Sequence, residues 1–261
     1  MKTTRGGKVY LVGAGPGAAD LLTLRAARVL AEADVVFHDA LVGPEVLELA
    51  ARAERFAVGK RCGKHSTAQR FINKRLVDAA RAHRVVVRLK GGDPMLFGRA
   101  QEEIDALRAA GIEVEIVPGV TAALAAAADV AVSLTRRGLS RNVVFVTPRV
   151  GEGEPASDWA SAAARADTAA IYMGAGDAAA ITAALLARGK PPGLAVAVVE
   201  NASLADSRRW FTTLGALPEL AAAGFRGPVV LLLGEVFADA AGREAACAEL
   251  LRAAAAERRR A

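Results

Sequence analysis

Val9-Tyr10-Leu11-Val12-Gly13-Ala14-Gly15-Pro16-Gly17 decides the fold class. The apolar run reads as a buried strand that stops at three glycines and a proline. A helix-like run with Leu21, Leu24, Ala27 and Leu30 then extends from Asp20 to about Ala33, with Asp20 placed to cap it. Strand, glycine-rich turn and helix open an α/β domain that takes its ligand at the C-terminal end of the strand. The glycines are spaced Gly-x-Gly-x-Gly, not the Gly-x-Gly-x-x-Gly of a dinucleotide site, and Ala18 stands where the last glycine belongs. Asp39 follows about 20 residues on, where a ribose-binding acid would sit. Pro16, however, removes a backbone N–H where a phosphate wants donors. The turn by itself leaves open a dinucleotide, a ligand suited to Pro16, or a tight turn that binds nothing.

Outward from this stretch, strand and helix alternate through the first half. Strands are expected at 34–37, 55–58, 84–89 and 113–117. Ser66 and Gln69 have capping-box spacing at the head of a long helix, and Gly111 closes another as a C-cap. Five strands separated by helices predict a parallel sheet. The unusual residues (Gly13–Gly17, Asp39, Lys60, Gly91-Gly92-Asp93-Pro94 and Pro118–Thr121) all fall at strand C-terminal ends, which share one rim in such a sheet. Gly91 and Gly92 allow close approach of a ligand, and Asp93 offers an acceptor for an amine or hydroxyls. Asp39 on that rim is a candidate functional carboxylate; Lys60 taken alone reads as an ordinary solvated lysine.

Arg136-Arg137-Gly138 reads as a hinge. A second set of strands follows at 142–146, 169–173, 194–199, 209–214 and 229–233, the fourth so close to the third that an antiparallel pair is expected. The expected organisation is an N-terminal α/β domain over 1–135, a C-terminal α/β domain with a mixed sheet over 136–238, and a basic, Ala-rich helical tail over 239–261.

Composition narrows the functional classes. Of 261 residues, 53% are apolar but only 5% aromatic, so the core is aliphatic. The formal charge of +6 lies mostly on the body, which suits a small polyanion; without a basic stripe it does not argue for nucleic acid. The run Ala122–Val132 is interrupted by Asp129 and falls short of the roughly 20 residues a membrane span needs. Met1–Lys8 is polar, so no leader is expected, and the two cysteines fit a cytoplasmic protein. Cys62 and Cys247 read as free thiols, and His38, His65 and His83 have no ligand cluster around them, so no metal is expected.

Taken together, several stretches resemble the tetrapyrrole methylases. They are Val9–Gly17, Leu22-Thr23-Leu24, Ala33-Asp34-Val35-Val36 and Asp39-Ala40-Leu41-Val42. Val58-Gly59-Lys60-Arg61-Cys62-Gly63-Lys64-His65-Ser66 narrows the resemblance to the uroporphyrinogen-III C-methyltransferase branch. Arg88–Pro94, Phe97-Gly98-Arg99 and Val117–Ala122 are similar to its central signatures. The resemblance covers about residues 8 to 237. The related rRNA 2′-O-methylase branch has a different first turn.

The resemblance implies a two-domain homodimeric enzyme that binds S-adenosylmethionine in the cleft between domains, releases S-adenosylhomocysteine, and methylates two ring carbons of uroporphyrinogen III. The product is precorrin-2, formed through precorrin-1, and it feeds siroheme and cobalamin. By position, the family's cofactor contacts fall on Pro16, Gly91, Gly92, Asp93, Leu96, Thr121, Ala122, Met173 and Ala202, and its acid/base pair on Asp39 and Lys60. Arg61, Lys64, Arg99 and Arg136 are candidate partners for the substrate's carboxylates. Ala40 and Ala202 depart from the arginine and glycine common in the family. Nothing in the chain resembles the dehydrogenase/ferrochelatase module of the longer siroheme synthases, so those steps are not expected. A methylase of a later corrin intermediate and an NAD(P)-binding oxidoreductase are the alternatives. On the methylase reading the first turn becomes an open floor, its glycines leaving room for a flat substrate.

Overall fold

The computed structural model describes residues 7–58, 66–240 except 152, 154 and 156, and residue 242. The chain divides into two compact units, Met1–Ala122 and Ala123–Ala261.

The first unit is a five-stranded sheet: β1 (Lys8–Gly13), β2 (Val35–His38), β3 (Glu54–Ala57), β4 (Val85–Lys90) and β5 (Glu113–Val117). The spatial order is β3-β2-β4-β1-β5, with all neighbours parallel. Its helices are α1 (Leu24–Ala31), α2 (Pro44–Glu48), α3 (Ser66–Ala82) and α4 (Ala100–Ala109). The alternation of side chains along a strand sorts the core into two layers. Val12, Val36, Val87 and Leu89 pack with Ala26 and Leu30 of α1 and Val46 of α2. Val9, Leu11, Phe37 and Val86 pack with Ile72 and Leu76 of α3 and Ile104 and Leu107 of α4.

One local expectation is corrected. Asp20 does not cap α1; it lies in a separate 3₁₀ turn, Ala19–Leu21. Leu22 is extended, and Thr23 caps α1 by accepting the Ala26 N–H at 3.1 Å. The glycine-rich turn therefore takes more chain before the helix can start.

After α5 (Ala122–Asp129), the second unit holds β6 (Val143–Val146), α6 (Trp159–Arg165), β7 (Thr168–Tyr172), α7 (Ala178–Leu186), β8 (Ala195–Glu200), β9 (Arg208–Thr213), α8 (Leu217–Ala222) and β10 (Val229–Gly234). Its sheet runs β6-β7-β10-β8-β9. Only β6 and β7 are parallel; β10 is antiparallel to both β7 and β8, and β9 to β8, giving the expected mixed sheet. Arg136-Arg137-Gly138 forms a tight turn, closed by hydrogen bonds in both directions between the Arg136 and Ser140 backbones. No helix among the described residues is long and apolar enough to cross a membrane.

Candidate active site

Three turns interlock at the C-terminal rim of the first sheet. The Ala14 N–H donates to Lys90 O at 2.7 Å, and Gly15 and Gly92 exchange N–H···O bonds at 3.2 and 2.7 Å. Gly15 (φ +73°) and Gly92 (φ +67°) both occupy the left-handed region that favours glycine. A Cβ on Gly13 would lie 2.7 Å from the Gly119 Cα and from Gly92 O, and one on Gly119 would lie 2.9 Å from the Gly13 Cα. Gly13 thus provides no space for a substrate, contrary to the open-floor expectation; its missing side chain is filled by two other backbones. The same bonds answer the dinucleotide question, because the Ala14 and Gly15 donors that a phosphate would need are already used.

Asp93 ties the second turn to the third. Its Oδ2 accepts the Gly119 N–H at 2.9 Å and its Oδ1 the Met95 N–H at 2.7 Å. Leu96 donates its N–H to the Asp93 carbonyl at 3.3 Å. The Thr121 Cα is the nearest group to where a Gly92 side chain would be, at 3.9 Å. Pro16, Gly91, Gly92, Asp93, Leu96, Thr121 and Ala122 are therefore contributed by the interlocked turns, all half-buried. Phe97 (φ +51°) and Arg99 (φ +54°) hold strained conformations just beyond.

Asp39 sits beside them, its N–H on Leu89 O at 3.2 Å. Its carboxylate, with 27% of the side chain exposed, accepts from Arg88 Nη2. Arg88 and Lys90 are both buried to 3% exposure, and between them lies Glu103, which is wholly buried. Glu103 Oε1 accepts from Arg88 Nε at 2.9 Å and from the Gln69 amide at 3.3 Å. Lys90 Nζ reaches both Glu103 oxygens, at 3.2 and 3.0 Å. Burial and the neighbouring Arg88 charge pull the Lys90 ammonium below its ordinary value, despite Glu103 and Asp39. Burial also works against Arg88, but Asp39 and Glu103 outweigh it and hold the guanidinium above its ordinary value.

In the second unit, β7 and β8 both end beside the start of β10, Tyr172 opposite Val230 and Glu200 opposite Val229. Met173 (φ +56°, 45% exposed) and the buried Ala202 follow those ends, so this unit's two expected cofactor contacts emerge at one end of its sheet. Asn201 (φ +53°) and Ser203 (φ +70°) flank Ala202 in left-handed conformations. Glu200 holds this corner: it accepts from Arg208 Nε at 2.6 Å and from the Gly227 N–H at 2.6 Å, and also bonds the Arg226 N–H. Asp129 fixes the following loop through the Ser203 N–H at 2.8 Å and Ser207 Oγ at 2.9 Å.

A profile of the Tetrapyrrole (Corrin/Porphyrin) Methylases matches residues 8–218. The chain belongs to that family. Among its relatives, the uroporphyrinogen-III C-methyltransferase of Pseudomonas aeruginosa is 46% identical over 236 residues, covering 89% of this chain and 95% of the relative. The siroheme synthase of Tolumonas auensis is also 46% identical, over 234 residues, but the match takes up 50% of its length; the chain spans about half of the siroheme synthases it matches. The crystal structure of uroporphyrin-III C-methyl transferase from Thermus thermophilus, complexed with S-adenyl homocysteine, superposes with a TM-score of 0.77 at 42% identity, covering 88% of this chain and 98% of that one.

In this tetrapyrrole methylase, Lys60, Arg61 and Lys64 lie outside the described residues. Arg99 is paired with Glu102 at 2.6 and 2.8 Å, and Arg136 with Asp239 at 2.7 Å. Both pairs are exposed, so they restrain the arginines only weakly. Among the described residues no group of His, Cys, Asp and Glu could hold a metal ion. The Arg88–Glu103–Lys90 cluster was not anticipated. Its signals are present in the chain: Arg88 and Lys90 take alternate positions after Val86 on one face of β4, and Glu103 shares the buried stripe of α4 with Ala100, Ile104 and Leu107.

Proposed function

We propose that this chain transfers methyl groups from S-adenosylmethionine to two ring carbons of uroporphyrinogen III, giving precorrin-2 through precorrin-1 for siroheme or cobalamin. The observation that carries the reading is the P. aeruginosa relative of matching length that bears this enzyme's name. The chain's own rim agrees with it. A Cβ on Gly91 would lie 3.2 Å from the Leu41 Cβ, and one on Gly92 would meet nothing nearer than the Thr121 Cα at 3.9 Å, so a ligand can approach this turn at Gly92. With the Asp93 carboxylate one residue further on, that suits the ammonium and hydroxyl groups of S-adenosylmethionine. Pro16, Leu96, Thr121, Ala122, Met173 and Ala202 would supply the remaining contacts.

Bound S-adenosylmethionine supplies an electrophilic methyl group on its sulfonium. The protein's own share is positioning and proton handling. Asp39, held by Arg88, orients the pyrrole N–H groups or takes the proton that the tetrapyrrole loses after its ring carbon has attacked the methyl group. Lys60 donates a proton or pairs with a substrate carboxylate, and Arg61, Lys64, Arg99 and Arg136 are further partners for those carboxylates. We also propose that the enzyme is a homodimer, by the family resemblance, and cytoplasmic, by the reading of Cys62 and Cys247 as free thiols.

Anaerobic incubation with S-adenosylmethionine and uroporphyrinogen III should add two methyl masses to the tetrapyrrole. Substrate recovered unmethylated from a folded, cofactor-binding protein overturns the reading, and methylation confined to a later corrin intermediate replaces it. Calorimetry with NAD(P) should show no binding.

A further inference from the structure

The charged cluster beneath Asp39 is expensive to bury. Strand β4 lies in the middle of its sheet, and its Val86 face looks onto α3 and α4. Aliphatic residues would fill the next two positions on that face at no electrostatic cost, and such replacements of buried ion pairs are often neutral or stabilising. Stability is therefore a poor explanation for Arg88, Lys90 and Glu103. The cluster's layout points elsewhere. Two cations face two anions, Glu103 and Asp39, and only Asp39 reaches the surface.

The Arg88 guanidinium is gripped at every corner. Nε donates to Glu103 at 2.9 Å, Nη1 to the Leu89 and Phe37 carbonyls at 3.1 and 3.4 Å, and Nη2 to Asp39. Its planar fork transmits the orientation of one end to the other. Glu103 is in turn fixed from α3 by Gln69 and from β4 by Lys90.

We propose that Glu103 is a positioning residue for Asp39, acting through Arg88, with Lys90 and Gln69 holding Glu103 in place. This rests on reading Asp39 as the group that touches the substrate.

The test uses the full chain under anaerobic turnover, with melting temperature, S-adenosylhomocysteine affinity, kcat and KM measured for each variant. Glu103→Asp keeps the charge but withdraws the carboxylate by one carbon. It should melt cooperatively, bind S-adenosylhomocysteine within about twofold of the parent, and lose about 10- to 100-fold in kcat, as a small misplacement of a reacting group does. Lys90→Met combined with Glu103→Gln removes one charge of each sign. It should recover stability relative to Glu103→Gln alone without recovering kcat. Adding Glu103→Asp to Asp39→Asn should cause no further loss of kcat.

Parental kcat in Glu103→Asp or in the charge-neutral double variant overturns the positioning role, as does a further loss on top of Asp39→Asn. Failure of every Glu103 variant to melt cooperatively overturns it as well, making Glu103 a residue of the fold. Undiminished turnover in Asp39→Asn overturns the reading of Asp39 itself, a result separate from the other arms.

Discussion

Gly13 and Gly119 meet backbone to backbone: a methyl group on Gly13 would fall 2.7 Å from the Gly119 Cα, and one on Gly119 would fall 2.9 Å from the Gly13 Cα. No flexible side chain is available to yield, so Gly119→Ala must push two turns apart. Overpacking of this kind costs about 1–3 kcal/mol. The expected result is a lower melting temperature together with weaker S-adenosylhomocysteine binding. Gly193→Ala is the comparison, since nothing lies within 4 Å of its added methyl; it should change stability by less than about 0.5 kcal/mol. Equal behaviour of the two variants would contradict the interlocked turns.

Asp39→Asn preserves an oxygen for Arg88 but removes the carboxylate that we propose as the base. Turnover should fall about 10²- to 10⁴-fold, the usual worth of general acid–base catalysis. Cofactor affinity should stay near that of the parent, because Asp39 is bonded to Arg88 and not to the glycine turns. Equal losses in turnover and in affinity, by kinetics and calorimetry, would rule out a substrate-side role.

Met173 holds φ +56° with its side chain 45% exposed. Such a conformation costs a non-glycine residue about 1 kcal/mol. Met173→Gly should therefore raise the melting temperature while weakening S-adenosylhomocysteine binding. If affinity is unchanged, the Met173 side chain does not touch the cofactor.

Glu200 gives a pH signature. Burial would raise its carboxyl, but the Gly227 and Arg226 N–H groups and the Arg208 guanidinium outweigh burial and hold it below the ordinary 4.5. Below that value the unfolded chain takes up the proton before the folded one does. The contribution to stability is thus fully present above 4.5 and is lost as pH falls through the folded value. Glu200→Gln removes this term, so urea unfolding at about pH 6 and about pH 3.5 should differ less in the variant than in the parent. An unchanged difference would show that Glu200 is not the group responsible.

Strand positions and sheet types were legible because Val-rich runs ending in glycine, proline or a charge mark them directly; β5 falls on its expected bounds and the other strands within a residue or so. The rim was legible for the same reason, since its special residues stand at strand ends. What was not legible depends on contacts distant in sequence. That Asp20 would yield to Thr23 as the cap depends on how the chain leaves Gly17. That Gly13 serves packing, not ligand access, depends on Gly92 and Gly119, which come much later in the chain. Arg88 and Lys90 look like charges at the end of a strand until Glu103 arrives from α4 and, with Asp39, neutralises them.

The Gly15–Gly92 ladder also sets a limit on redesign. Replacing Pro16 with glycine would free a single N–H, yet the Ala14 and Gly15 donors would still point into the neighbouring turn. Switching this scaffold to a nucleotide-phosphate ligand would require dismantling the pairing that joins its first and fourth strands at the rim. The choice of cofactor class is thus built into the backbone and lies beyond the reach of any one side-chain exchange.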